Sequence, residues 1–593
     1  MRHLLVIPAI LLTLLAPPGA SAGSPADQAA KALFEADWQW RLQTEPEYAT
    51  LVGDYRFDTA LSDTSLAASR SAIAQARKML DQARLIPRDQ LSGTNPLSYD
   101  LFIYQKEQLL RGANFVPFNP QPLTSLQGIH VSLVQTVAQM PFATELDYRN
   151  YLARLDAVPA HVAGMIEQLR EGMRTGWTAP RTAVRPVPGM LRQLRESAVD
   201  GALGLPFRQI PATIDKPVRD ALAASGPEVL RTRVVPALQE LEDFLRKDYL
   251  PAARDSIGAS ALPGGQPYYA FLIAQHTGSS MSPAEIHALG LKEVARIQAQ
   301  LPAAIARTGF AGSFTQFATF ANNDPRLFAA TPEALLARYR RLLERASAGL
   351  PKLFASVPAQ ELLVKPAPAE AGAELGAAWY EAGTPDRPAA MVVNTARLAT
   401  HPLWEAETLA LHEGMPGHHM QAARVRELGE LPPFRRYGWN VAFGEGWALY
   451  AESLGPELGF FKDAFSAFGR LNAELFRAAR LVVDTGIHSK GWSRQQALDF
   501  MNANTANPVS DNEIEVDRYI AWPAQALGYK LGELRIKALR EQAQAALGER
   551  FDVRRFHAVV LDNGPLPLPL LGQQVEQWLA AVAPKPAPPP QPK

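Results

Sequence analysis

Cysteine is missing from all 593 residues, and that one absence removes disulfide staples, a thiol nucleophile, thiolate metal ligands and a cysteine for lipid attachment. Any metal bound by this chain must be held by nitrogen and oxygen. Excess charge is missing too. The 59 lysines and arginines face 59 aspartates and glutamates, so no overall field draws the chain to nucleic acid or anionic lipid. Long apolar runs are confined to the N terminus. There Arg2 and His3 precede an apolar stretch from Leu4 to Leu15 and the small-residue triplet Ala20-Ser21-Ala22, the layout of a cleavable signal peptide with cleavage expected after Ala22. The stretch falls short of the roughly 20 apolar residues that span a bilayer. The expectation is a periplasmic or secreted protein that makes no membrane contact after signal cleavage. Without disulfides it must find its stability in a large core, which its length allows.

Strand-like text is scarce, the best case being AAMVVNT from Ala389 to Thr395. Most of the chain instead repeats apolar residues three and four apart, broken by proline or glycine. This spacing predicts helices over Asp27–Val52, Ser65–Ala83, Tyr99–Leu110, Glu145–Arg174, Pro227–Leu245, Ser282–Leu301 and Thr331–Leu350. No internal repeat of fixed period is present. The fold class expected is mainly α, a large helical domain over residues 23–580 with a small β-sheet beside the site. GASALPGG, Gly258 to Gly265, marks a soft internal boundary. The last residues, 581–593, end in the proline-rich PKPAPPPQPK, which reads as extended and solvated.

The chemistry is densest in HPLWEAETLALHEGMPGHHMQAARVRELG, which follows Thr400. Thr400 can cap a helix, Pro402 suits a first turn, Glu405 and Glu407 favour the positive end of the dipole, and Arg424, Arg426 and Gly429 favour the other end. One helix is expected across this segment. Pro416 cannot donate to the carbonyl of His412, so the helix must kink or bulge beside that histidine. The pattern suggests metal binding. In HExxH, two imidazoles one turn apart chelate zinc and the intervening glutamate serves as general base. Here the text is HEGMPGHH, two residues longer. On an undistorted helix His419 would share the face of His412 but lie about 10.5 Å further along, too far for joint chelation. Two residues absorbed in a bulge would bring His418 into place, which makes His418 the favoured second ligand and His419 the runner-up; if His418 ligates, His419 is left to support the ligands or to touch substrate. A third ligand is expected from FGEGWALYAE, where Glu445 and Glu452 share one helix face. Either can ligate while the other orients a histidine.

HEGMPGHHMQ followed by EGWALYAE resembles the bacterial domain-of-unknown-function 885 family, from around Leu33 to about Leu579. The second motif also looks like the NEGFAxYxE text of zinc aminopeptidases, in which the first glutamate completes the zinc site. That resemblance selects Glu445 as ligand over Glu452. It implies a helical metallopeptidase-like fold, related to thermolysin-type enzymes and, in its helical bulk, to angiotensin-converting enzyme and thimet oligopeptidase.

Peptide hydrolysis also needs donors for the developing oxyanion. Enzymes of the angiotensin-converting type take a tyrosine, and in some cases a histidine, from a late helix; by resemblance the candidates are Tyr519, Tyr529 and His488. Ser510 and Glu513 suggest a capping box opening a helix that continues past Pro523. Along it Arg518, Gln525 and Tyr529 would share one face. Arg518 can hold a peptide carboxylate bidentately; its alternative is packing against an acid such as Asp484. An exposed edge at AAMVVNT would add a substrate strand and place Asn394 near the scissile bond.

The function expected is zinc-dependent hydrolysis of peptide bonds in short peptides, with Zn2+ as cofactor and Glu413 as general base and then proton donor. A peptide-binding protein that keeps the fold without catalysis is the first alternative, and Glu413 argues against it, because a structural zinc site needs no unbound carboxylate there. A zinc amidase or esterase acting on a non-peptide substrate is the second. Cleavage mode, sequence preference and oligomeric state leave no mark in the sequence.

Overall fold

The computed structural model describes residues 24–367, 376–384, 387–396, 398–429 and 431–582. The expected signal peptide, residues 1–22, and the tail from residue 583 lie outside the described residues.

Helices dominate. Ser65 caps Leu66–Arg84 by accepting from the Ala68 amide, and Ser282 with Glu285 forms a capping box on α1 (Pro283–Gln298). Thr331 likewise caps α2 (Pro332–Gly349). The expected helix Asp27–Val52 is two, Pro25–Thr44 and Pro46–Leu51, because Pro46 has no amide to continue the ladder. Glu145–Arg174 divides in the same way into Glu145–Asp156 and Val158–Thr175, with Pro159 in the first turn of the second. Pro227 does not start a helix: it sits inside Lys216–Val229, and a π-helical turn over Leu230–Val234 follows. Such a turn re-routes the bonds that a proline interrupts.

Three strands form the sheet: β1 (Leu362–Pro366), β2 (Ala378–Glu381) and β3 (Ala389–Val393), in the order β1-β3-β2. β3 runs parallel to β1, with Val364 opposite Met391, and antiparallel to β2, with Tyr380 opposite Met391. This corrects the expectation of an exposed edge at AAMVVNT. β3 is the central strand, buried along its length, and its backbone groups are taken by both neighbours. An all-apolar run fits a strand covered on both faces.

The centre of the molecule is built by α3 (Ala406–Glu413), α4 (His418–Glu427), α5 (Val441–Ser453), α6 (Ala464–His488), α7 (Val509–Ala521) and α8 (Leu527–Leu547). α6 is buried over most of its length, and α3 lies against α2, α5, α6 and β2. One hydrophobic cluster joins Phe34 and Phe102 near the N terminus to Leu411, Trp447 and, near the C terminus, Leu571. Another is drawn wholly from Leu123 to Ala253.

Two expected elements are corrected here. The segment after Thr400 is not one bent helix: a short 3-10 turn, Leu403–Glu405, leads into α3, which stops at Glu413 before α4 starts at His418. Ser510 and Glu513 form no capping box. Pro508 precedes α7, and the Ser510 hydroxyl donates to Asp511 instead. Nor does α7 continue past Pro523. It ends at Ala521, and the chain reverses through Ala524 at φ 67° before α8.

Candidate metal centre

The break between α3 and α4 is made by local sterics. A β-carbon on Gly417 would stand 1.9 Å from the His412 carbonyl oxygen and 2.4 Å from that of Leu411, so only glycine lets the chain fold back over the end of α3. The Met415–Pro416 peptide is cis. Trp447, on α5, donates its indole N–H to the Pro416 carbonyl at 2.8 Å, which ties the turn to the helix that carries Glu445.

The break brings His412, His418 and Glu445 together, with one potential ligand atom from each lying within 4.8 Å of the others. His412 Nε2 and His418 Nε2 are each 3.5 Å from Glu445 Oε2. Both imidazoles are fixed from behind. His412 Nδ1 donates to Glu452 Oε1 at 2.7 Å, and His418 Nδ1 to Gln421 Oε1 at 3.1 Å, which leaves each Nε2 free to ligate. Glu452 is held in turn by Arg477, at 3.3 Å. Meanwhile Glu445 Oε2 is buried without a hydrogen-bond partner. An orphaned carboxylate oxygen facing two nitrogens asks for a cation. Two nitrogens and one oxygen are a zinc donor set, and ligand atoms about 3.4 Å apart are what bonds of about 2.1 Å give in a tetrahedron. The residues fit the group.

Electrostatics agree. Burial works against a charged imidazole, yet Glu445 and Glu452 outweigh it and push His412 up to about 9. Burial likewise opposes the Glu445 carboxylate, and the two imidazoles still hold it well below the usual range. In the metal-free chain, a second proton on His412 places positive charge beside the two carboxylates. Glu413, next to His412, is buried, and burial raises its carboxyl above the ordinary value against the pull of His412 and His418.

His419 points elsewhere. Its Nε2 donates to the Gln360 carbonyl at 2.9 Å and its Nδ1 faces the Tyr380 hydroxyl at 3.3 Å, so it anchors α4 to the sheet. Tyr529 stands near the cluster: burial and then the Glu445 charge raise its hydroxyl pKa, and the Arg480 guanidinium lies 4.2 Å above its ring. Tyr519 is buried, its hydroxyl accepting from Arg480 Nε at 3.1 Å. Both ring nitrogens of His488 are engaged by backbone, with Nδ1 accepting from the Ala259 amide and Nε2 donating to the Tyr519 carbonyl. Burial pushes this imidazole down to about 3, so His488 sits neutral and does not face the cluster. Arg518 donates to Gln525 at 2.7 Å and to Glu515 at 3.1 Å; Asp484 instead accepts from Tyr269 and the Ala524 amide. Asn394 is buried beyond β3, its carboxamide oxygen accepting from the Ala396 amide.

Sequence reasoning missed Gln421, Arg477 and Trp439. Gln421 was within reach of it, since HHMQ places the amide three residues after His418 on one helix face. Nothing local marks Arg477, which acts across helices. Trp439 packs against His418, with ring centroids 5.8 Å apart.

Fold and site together define a predominantly helical protein with a largely buried His-His-Glu cluster suited to a metal ion. The chain belongs to the family described as bacterial proteins of unknown function, DUF885, whose model matches residues 46–575. No curated protein matches it. Among solved structures it is similar to a protein described as a putative lipoprotein from Colwellia psychrerythraea, with 29% identity and a TM-score of 0.88 over 94% of this chain and 100% of the other. A putative lipoprotein of unknown function from Shewanella oneidensis shares the fold at 16% identity and a TM-score of 0.65, over 93% and 99% of the two chains. Among the described residues, no helix is long and apolar enough to cross a membrane.

Proposed function

We propose that this protein is a zinc-dependent hydrolase of peptide bonds in short peptides. The observation that carries the reading is the convergence of the buried His412, the partly buried His418 and the unpartnered Glu445 Oε2, with the buried Glu413 beside them. His412, His418 and Glu445 would hold the ion; bound there, zinc supplies Lewis acidity that activates water and polarises the scissile carbonyl. Glu413 takes the proton from the attacking water and passes it to the leaving amine. Glu452 and Gln421 keep both imidazoles in the ligating tautomer. Tyr529 is the favoured donor to the developing oxyanion, because its hydroxyl lies within the influence of Glu445 while the Tyr519 hydroxyl accepts from Arg480 and is bonded to Glu515.

The same reading makes the protein an exported one. The Leu4–Leu15 stretch with Ala20-Ser21-Ala22 supports a cleaved signal, and the description of both structural neighbours as putative lipoproteins agrees with a place outside the cytoplasm.

The test is incubation of the purified protein with a mixed peptide library, with and without a chelator, beside Glu413→Gln. Cleavage by the parent alone, lost with chelator and reduced by about 10²–10⁴-fold in the variant, is the expected result. If Glu413→Gln cuts as fast as the parent, Glu413 is not the base; a parent that cuts nothing with zinc bound ends the hydrolase reading.

A further inference from the structure

A half-open pocket of about 460 Å³ adjoins the metal centre, walled by Trp177, Tyr268, Trp439 and Trp522. Its rim carries the amides of Asn119, Gln121, Gln127 and Gln525, and no aspartate, glutamate, lysine or arginine lines it. Its two titratable groups are both neutral: burial pushes His276 down to about 4 and pushes the Tyr268 hydroxyl up.

The walls are held in place before any ligand arrives. Trp439 is 58% exposed, a costly position for an indole, yet its ring is fixed. It lies over Gly444, where a β-carbon would come within 2.2 Å of it, and against the His418 imidazole. One residue thus touches both a candidate metal ligand and the pocket. Trp522 is pinned by donation of its Nε1 to Gln127 Oε1 at 2.8 Å, and Gln525 Oε1 accepts from Arg518. Aromatic walls held by packing and by the Trp522 bond, with no charged side chain among the lining residues, favour an apolar guest and leave an entering charge without a partner.

We propose that this pocket receives a neutral aromatic or bulky aliphatic side chain of the peptide substrate and so sets which peptides the centre cleaves. The proposal rests on the hydrolase reading for its role and on the pocket for its chemistry, and the two fail separately. The walls are positioned by Gly444, Gln127 and Arg518; Gln121, whose side chain is half-buried at the rim, offers a place to rewrite the preference. A carboxylate there would give a cationic side chain the partner that the native rim withholds.

Two readouts test it. In zinc-loaded Glu413→Gln protein, tryptophan fluorescence follows binding of N-acetyl-phenylalaninamide, N-acetyl-lysinamide and N-acetyl-aspartamide. In the parent, kcat/KM is measured over a peptide series that differs at one position flanking the cut. Phenylalanine is expected to bind at least tenfold tighter than either charged analogue and to lead the kinetic series, and Gln121→Glu should raise lysine relative to phenylalanine about tenfold. Equal binding of all three amides overturns the proposal, as does a preference that Gln121→Glu leaves unchanged. Selective binding without hydrolysis of any peptide would support the pocket and remove the hydrolase reading; hydrolysis indifferent to the side chain would do the reverse.

Discussion

Two imidazole nitrogens and a carboxylate oxygen packed together away from water need a positive charge among them, and in this chain either protons or a metal ion can provide it. Because His412 is pushed up to about 9 without metal, zinc must displace a proton at neutral pH. Affinity should therefore fall as pH drops below about 9, by roughly tenfold per unit for each proton displaced. Competition titrations with a chromogenic chelator between pH 6 and 9 measure it, and a flat profile would show that His412 carries only its Nδ1 proton in the free site. Glu452 acts on the same nitrogen from behind. Replacing it in Glu452→Gln leaves an acceptor for Nδ1 but removes the charge, and the expected loss is about 10- to 100-fold in zinc affinity, with the fold retained by circular dichroism.

At the scale of elements, the centre depends on two places where glycine lets backbones approach. Gly446, on α5, faces Gly532, on α8, so closely that a β-carbon on the former would be 2.4 Å from the Cα of the latter. Gly446→Ala should push α5 off α8, carrying Glu445 with it, and cost about 1–3 kcal/mol, read as a lower Tm together with weaker zinc binding. Gly417→Ala should be worse for metal than for stability, because its clash is with the end of α3 at His412. Equal metal affinity in Gly417→Ala and parent would show that the turn does not place His418. The sequence announced this turn clearly: Pro416 denies His412 its bond and the glycines flank it, so a disruption at the right residues could be read without coordinates. What could not be read was its extent, since whether the chain bulges or starts a new helix is decided by the contacts of Gly417 and by the Trp447 bond from a distant segment. β3 misled for a related reason. An apolar run of five residues says that both faces are covered, but not that β1 and β2 occupy both edges. The capping signal at Ser510 was a local match overruled by Pro508, which already starts α7.

On the scale of the whole molecule, buried charge joins helices that are far apart in sequence, and it makes stability depend on pH from both sides. Lys530, on α8, meets Glu533 at 2.7 Å, Glu474 of α6 at 2.9 Å and Glu293 of α1 at 3.4 Å. Burial opposes the Glu474 carboxylate, but Lys530 and its neighbours hold it down at about 2. A depressed carboxyl contributes stability that is present above its unfolded value near 4.5 and is lost as pH falls towards 2. Lys530→Met would remove the buried cation that the three carboxylates share, leaving Arg296 with Glu293 and Glu474 and Lys537 with Glu533, and should cost up to about 3–5 kcal/mol near neutrality, seen in thermal unfolding. Asp484 has the opposite sign. Burial raises it to about 7 against the bonds from Tyr269 and Ala524, so the folded state holds a proton that the unfolded chain releases above 3.8. Its contribution is present below 3.8 and drains away as pH rises through 7, at up to about 1.4 kcal/mol per pH unit. Asp484→Asn keeps an acceptor for Tyr269 and for the Ala524 amide but cannot ionise. Its Tm should match the parent near pH 4 and exceed it by a margin that widens from pH 5 to pH 8. A difference that stays constant across that range would mean that Asp484 is ionised in the folded protein, and that the α6–α8 junction tolerates a buried charge there.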